Sequence, residues 1–273
     1  VSDAVYYRRD EVVGDSVSTW TKTFTAPRRI QTNILARAER RVLNKFCESL
    51  PAWVMPDHLT VLGITGAVVT ALGYLASNWS PYFFFLASFG LLVNWFGDSL
   101  DGSLARYRKI ERPRYGYFVD HSVDAISEFL IIAGLGLSPY VGLTVALFAL
   151  SAYFALSLYV FLLNQISGEF RLTFVNLGPT EVRLVVIWFN FAMFLLGPAH
   201  LSIFGLAVPL HAASIGLVGA VLVAIFVVNV YKTARELARQ SESERKPSLQ
   251  RIPTISRMRP PQAAARGRGS LAQ

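Results

Sequence analysis

Four aspartates stand in two pairs within an otherwise apolar part of this chain. Asp98 and Asp101 are three residues apart, and Asp120 and Asp124 are four apart. On a helix either spacing puts both carboxylates on one face. The basic connection 107–115 is short enough to make the two helices antiparallel neighbours, so the four carboxylates can converge at one end of the pair. Unpaired anions there would repel one another and resist desolvation, and ionisable groups inside membrane segments are functional by default. Hard oxygen ligands at this density suit Mg2+ or Mn2+, above all where substrate phosphates complete the coordination. Two such ions would neutralise the cluster and polarise a phosphoryl group. Gly102 and Gly116 face the same region. Their missing side chains either admit a flat ligand to the backbone or serve tight helix packing.

The elements that must position these residues are membrane helices. Of the 273 residues, 53% are hydrophobic, in blocks that approach or exceed the ~18 apolar residues expected of a membrane span. Six are expected, at about 59–77, 81–97, 117–137, 140–163, 182–196 and 212–231. The third carries the acids of the second pair. The fifth is short unless residues 179–183 form its first turn, which Pro179 at a helix start suits. Residues 29–50 alternate apolar and basic side chains at helical spacing. They predict an amphipathic helix lying on the membrane surface or, equally, packed on the protein itself. The expected fold is therefore all-α: a bundle of six transmembrane helices over residues 51–239, preceded by a cytoplasmic amphipathic surface helix at 29–50. A polar arm at 1–28 shows no apolar region of the secretory-signal kind. A Ser-, Pro- and Arg-rich tail at 240–273 reads as disordered.

Charge sets the orientation. All 26 Lys and Arg residues fall on one side of a six-span chain. The positive-inside rule then puts both termini, and the acidic cluster with them, in the cytoplasm. A net charge of +8 alone would also suit nucleic acid, but the apolar blocks favour a membrane and a phosphorylated substrate. One cysteine, Cys47, excludes an intramolecular disulfide.

The residues Asp98, Asp101, Gly102, Ala105, Arg106, Gly116, Asp120 and Asp124 resemble the signature of CDP-alcohol phosphotransferases, with nine residues between Arg106 and Gly116 and all eight fixed positions filled. The stretch from Trp53 through Pro56, Asp57, Leu59 and Thr60 to Gly63 is similar to the approach to the first span in choline- and ethanolamine-phosphotransferase relatives, with Asp57 where Asn is usual. Asp57 also suits a plain helix cap. The resemblance implies that Asp98, Asp101, Asp120 and Asp124 hold Mg2+ or Mn2+, as two ions, and that Asp124 is also the general base. It implies that Gly102, Ala105 and Gly116 border the cytidine and that Arg106 holds the pyrophosphate. For Arg106 the bland alternative is a cytoplasmic anchor, the expected role of Arg108 and Lys109. The expected partners are a CDP-linked donor and an alcohol acceptor, one of them a lipid, together with membrane lipids and a second copy in a homodimer.

Other residues divide more evenly. His121 points about 100° away from Asp120 on a helix and is not expected to be a ligand. Glu128 continues the stripe of Gly116, Asp120 and Asp124, and either reads the acceptor or pairs with Asn94 or Asn190. Arg171 and Arg183 either bind an acceptor phosphate or anchor the interface. Competing functions are a cation transporter, which would distribute acids through the bilayer, and an inactive scaffold, which would erode the signature. The donor is either CDP-diacylglycerol, with a small polar acceptor, or CDP-choline or CDP-ethanolamine, with diacylglycerol as acceptor.

Overall fold

In the computed structural model the described residues are 36–167, 179–203 and 206–250. Arg171 and the arm at 1–28 lie outside them, as does the helix expected before residue 36. The elements are α1 (Ala36–Ser49), α2 (Pro56–Ala76), α3 (Phe83–Tyr107), α4 (Pro113–Gly136), α5 (Leu143–Ser167), α6 (Pro179–Leu196), β1 (His200–Ile203), β2 (Leu206–Pro209) and α7 (Leu210–Gln250). The two strands form an antiparallel hairpin, Ile203 opposite Leu206 and His200 opposite Pro209. All the other described elements are helices, as the all-α expectation has it.

Among the described residues five helices are long and apolar enough to cross a membrane: α2, α3, α5, α6 and α7. The third expected span, α4, is 24 residues long but fails on composition, because Asp120, Asp124 and Glu128 fall within its apolar length. The fifth span does begin at Pro179, the first residue of α6. From Ala224 the chain forms a second unit, in which α7 runs ten residues past the expected tail boundary at 240 to Gln250. Glu236 accepts a bond from Gln240 at 3.2 Å, the i,i+4 pairing that lets a polar segment stay helical.

Small residues set the spacing of α2 and α3. A Cβ on Gly66 would fall 2.3 Å from the Asn94 backbone nitrogen, and one on Gly97 would fall 2.4 Å from that of Gly63. Only missing side chains allow the two backbones to come this close. The core at one end gathers Tyr74, Phe84, Leu135, Tyr140 and Met193. Phe84 is buried and edge-on to Tyr140 at 4.8 Å. The aromatic run 82–85 is thus partly core. At the other end Leu43 and Cys47 of α1 are buried with Leu59, Leu100 and Leu104. The apolar face of α1 therefore packs on the protein, and burial pushes the Cys47 thiol above its usual pKa.

Candidate active site

The acidic residues are brought to the same end as α1. Asp101 Oδ2 accepts a hydrogen bond from the Thr60 hydroxyl at 2.7 Å, and its Oδ1 accepts one from the Gly102 amide at 2.5 Å. Asp98 Oδ2 accepts from Arg183 Nη2 on α6 at 2.8 Å, and Arg183 Nε donates to Asn94 Oδ1 at 3.1 Å. On α4, one donor atom each of Asp120, His121 and Asp124 lie within 4.8 Å of one another. The charges of Asp98 and Asp120 act on both Asp101 and Asp124. Asp98 and Asp120 thus lie within electrostatic reach of both Asp101 and Asp124, and the Arg183 cation acts on Asp124 as well.

The group on α4 fits a divalent cation: two carboxylates and an imidazole, close together and only partly buried. His121 enters this group, contrary to the expectation that it would stand apart. Its ring is also edge-on to Tyr117 at 4.4 Å and Phe161 at 5.2 Å, contacts that hold the imidazole in place.

The two signature glycines differ from the packing glycines. Among the described residues a Cβ on Gly116 would meet nothing within 4 Å, and the atoms nearest to one on Gly102 are those of the Arg106 guanidinium, 3.3 Å away at its nearest nitrogen. Packing by a described helix explains neither. Arg106 is exposed and donates from Nη2 to the Ser103 hydroxyl at 3.3 Å. Ala105 lies between them in the chain and is half-buried.

Neighbouring charges have other work. Arg108 donates to the carbonyls of Leu50, Pro51, Ala52 and Val54, fixing the connection between α1 and α2. It is a structural clamp as much as an anchor. Asp57 is not the helix cap. Met55 holds that position, with its amide donating to His58 Nδ1 at 3.2 Å, while Asp57 forms an ion pair with Arg112. Glu128 does pair with a polar group, but with the Tyr153 hydroxyl at 2.6 Å. Asn94 and Asn190 are engaged elsewhere, Asn190 with Tyr74 and Ser88. Sequence reading gave Arg183 no tie to Asp98. The only signal available was a cation in the first turns of an apolar span.

A family model for CDP-alcohol phosphatidyltransferase matches residues 53–231. The chain belongs to the CDP-alcohol phosphatidyltransferase family. The matched residues take in the whole signature and most of the helical bundle. Among curated relatives of the chain, Cholinephosphotransferase 1 of Homo sapiens is 26% identical over 149 residues, 51% of this chain and 36% of the relative. Archaetidylinositol phosphate synthase of Methanothermobacter thermautotrophicus is 30% identical over 117 residues, 41% of this chain and 55% of the relative. Phosphatidylinositol phosphate synthase of Cutibacterium acnes is 33% identical over 99 residues, 36% of this chain and 45% of the relative. The chain thus spans less than two thirds of the length of each of these relatives.

Proposed function

We propose that the protein is an integral membrane phosphotransferase that moves a substituted phosphate from a CDP-linked donor to an alcohol, releasing CMP. The observation that carries this reading is the Asp120, His121 and Asp124 group on α4, within electrostatic reach of Asp98 and Asp101 on α3, beside two glycines whose faces no described helix packs against. A transporter would want acids spread along a path; here they share one end with Arg106 and those open glycines.

In this reading Asp98, Asp101, Asp120 and Asp124 hold Mg2+ or Mn2+, as two ions. When bound, the metal supplies charge neutralisation for the phosphate oxygens. Gly102, Ala105 and Gly116 border the cytidine, and Arg106, reaching out over Gly102, holds the pyrophosphate. Thr60 and the Gly102 amide orient Asp101, and Arg183 orients Asp98, so that neither carboxylate has to be ordered when the donor arrives. The acceptor oxygen attacks the phosphorus next to the donor alcohol, and the bond from that phosphorus to the CMP oxygen breaks. The Asp124 carboxylate takes the hydroxyl proton, and CMP leaves with the electron pair of the broken bond. We further propose that α4 is a sixth span, packed against α2 and α5. Both termini and the site then face the cytoplasm, and the protein forms a homodimer.

The relatives' names include a cholinephosphotransferase, an archaetidylinositol phosphate synthase and a phosphatidylinositol phosphate synthase, so both donor classes belong in the trial. The direct test labels the donor in the phosphate next to its alcohol. The label should pass to the acceptor, and chelation of divalent metal should stop the transfer reversibly. Label left on the released nucleotide, or transfer that persists in excess chelator, would refute the reading.

A further inference from the structure

Glu39 of α1 is a charged side chain that the signature does not use, yet it reaches two other helices. Its Oε1 accepts from the Thr180 hydroxyl on α6 at 2.8 Å and from the Ser99 hydroxyl on α3 at 3.3 Å. Thr180 Oγ1 in turn accepts from Trp95 Nε1 on α3 at 3.1 Å. One carboxylate oxygen and one hydroxyl therefore tie the first turn of α6 to α3. A carboxylate also complements the partial positive charge of that helix N-terminus.

The two residues held this way adjoin the site. Ser99 follows Asp98 in the chain. Arg183 lies three residues after Thr180, on the same face of α6, and binds Asp98. Its Nε is held by Asn94, and a third nitrogen, Nη1, is buried with no hydrogen-bond partner among the described residues. Where α6 places the arginine therefore bears on how Nη2 meets Asp98.

We propose that Glu39 is a positioning residue: by pinning Thr180 against α3 it fixes the register of Arg183 on Asp98, so that α1 helps to set the geometry of the metal-binding carboxylates. The inference rests on the metal-site reading of Asp98 given above. It gives α1 a role in the site beyond the packing of Leu43 and Cys47.

The test is Mn2+ binding to the full-length protein in lipid nanodiscs, followed by electron paramagnetic resonance for the wild type, Glu39→Ala, Thr180→Val, Arg183→Gln and the double variant Glu39→Ala/Arg183→Gln. Outer-shell partners of ligands change metal affinity by about 10–100-fold, so Arg183→Gln should lose about that much. Glu39→Ala and Thr180→Val, one step further out, should each lose less than Arg183→Gln. The double variant should bind no more weakly than Arg183→Gln alone, because both act through one contact. Wild-type affinity in Thr180→Val, or losses that multiply in the double variant, would overturn the proposal. Should Glu39→Ala fail to fold, Thr180→Val, which removes one hydroxyl and keeps the side-chain size, carries the comparison. A wild type that binds no Mn2+ would instead overturn the metal-site reading on which the proposal stands.

Discussion

Arg183 on α6 and Asp98 on α3 meet at 2.8 Å, 85 residues apart in the chain. Their side chains are 18% and 23% exposed. The contact places a fixed positive charge beside the first carboxylate of the signature and within electrostatic reach of Asp124 and Glu128. A cluster of acids at a membrane helix end therefore carries one built-in counter-charge from a third helix.

Removing that charge leaves Asp98 without its partner. Arg183→Gln should lower stability by about 1–3 kcal/mol, the usual cost of losing a charged hydrogen bond. It should reduce turnover mainly through a higher metal requirement. Thermal unfolding and a metal titration of activity separate the two effects, and an unchanged metal requirement would count against Arg183 as an orienting residue.

Asp124→Asn should leave a folded protein that still binds the CDP donor, with turnover reduced by about 100-fold or more, the usual contribution of a positioned base. Donor binding measured beside single-turnover rates checks this. Normal turnover by the variant would remove Asp124 as the base.

The glycines make a paired prediction. Gly66→Ala forces a methyl group to within 2.3 Å of the Asn94 backbone, and overpacking of this kind costs about 1–3 kcal/mol. Gly116→Ala meets nothing and replaces a helical glycine, which gains up to about 1 kcal/mol in a helix. Melting temperature should therefore fall for Gly66→Ala and hold or rise for Gly116→Ala, while donor affinity falls for Gly116→Ala. Undiminished donor affinity in Gly116→Ala would detach that glycine from the nucleotide.

Asp57→Asn restores the residue usual in similar proteins and breaks the ion pair with Arg112. Both side chains are about half exposed, 48% and 52%, and such pairs are worth ~0–1 kcal/mol. The variant should melt within a few degrees of the wild type and turn over normally. A large loss of turnover would show that the acid at 57 is used in the reaction.

The signature was legible because it is local: fixed spacings put Asp98 and Asp101 on one face of α3 and Asp120 and Asp124 on one face of α4. The expected packing of those two helices directly against each other is not what the fold adopts, since α4 packs chiefly on α2 and α5. Pro179 likewise marked the start of α6. What escaped depends on partners distant in sequence. Arg183 to Asp98, Glu39 to Thr180 and Glu128 to Tyr153 join different helices, and no periodicity records which faces will meet. The hairpin at 200–209 is too short to show the period-two alternation of a strand. The acids that mark the site are also what separates α4 from the other spans in composition.

The most direct test of the central claim is CMP release by the purified protein in lipid with Mg2+ or Mn2+. CDP-diacylglycerol, CDP-choline and CDP-ethanolamine would each be offered with a panel of alcohol acceptors, with Asp124→Asn alongside. Acceptor-dependent CMP release from one donor, lost in the variant, is the predicted result, and it would also reveal which substrate carries the lipid. Equal CMP release by wild type and variant, or none from any donor, would contradict the account.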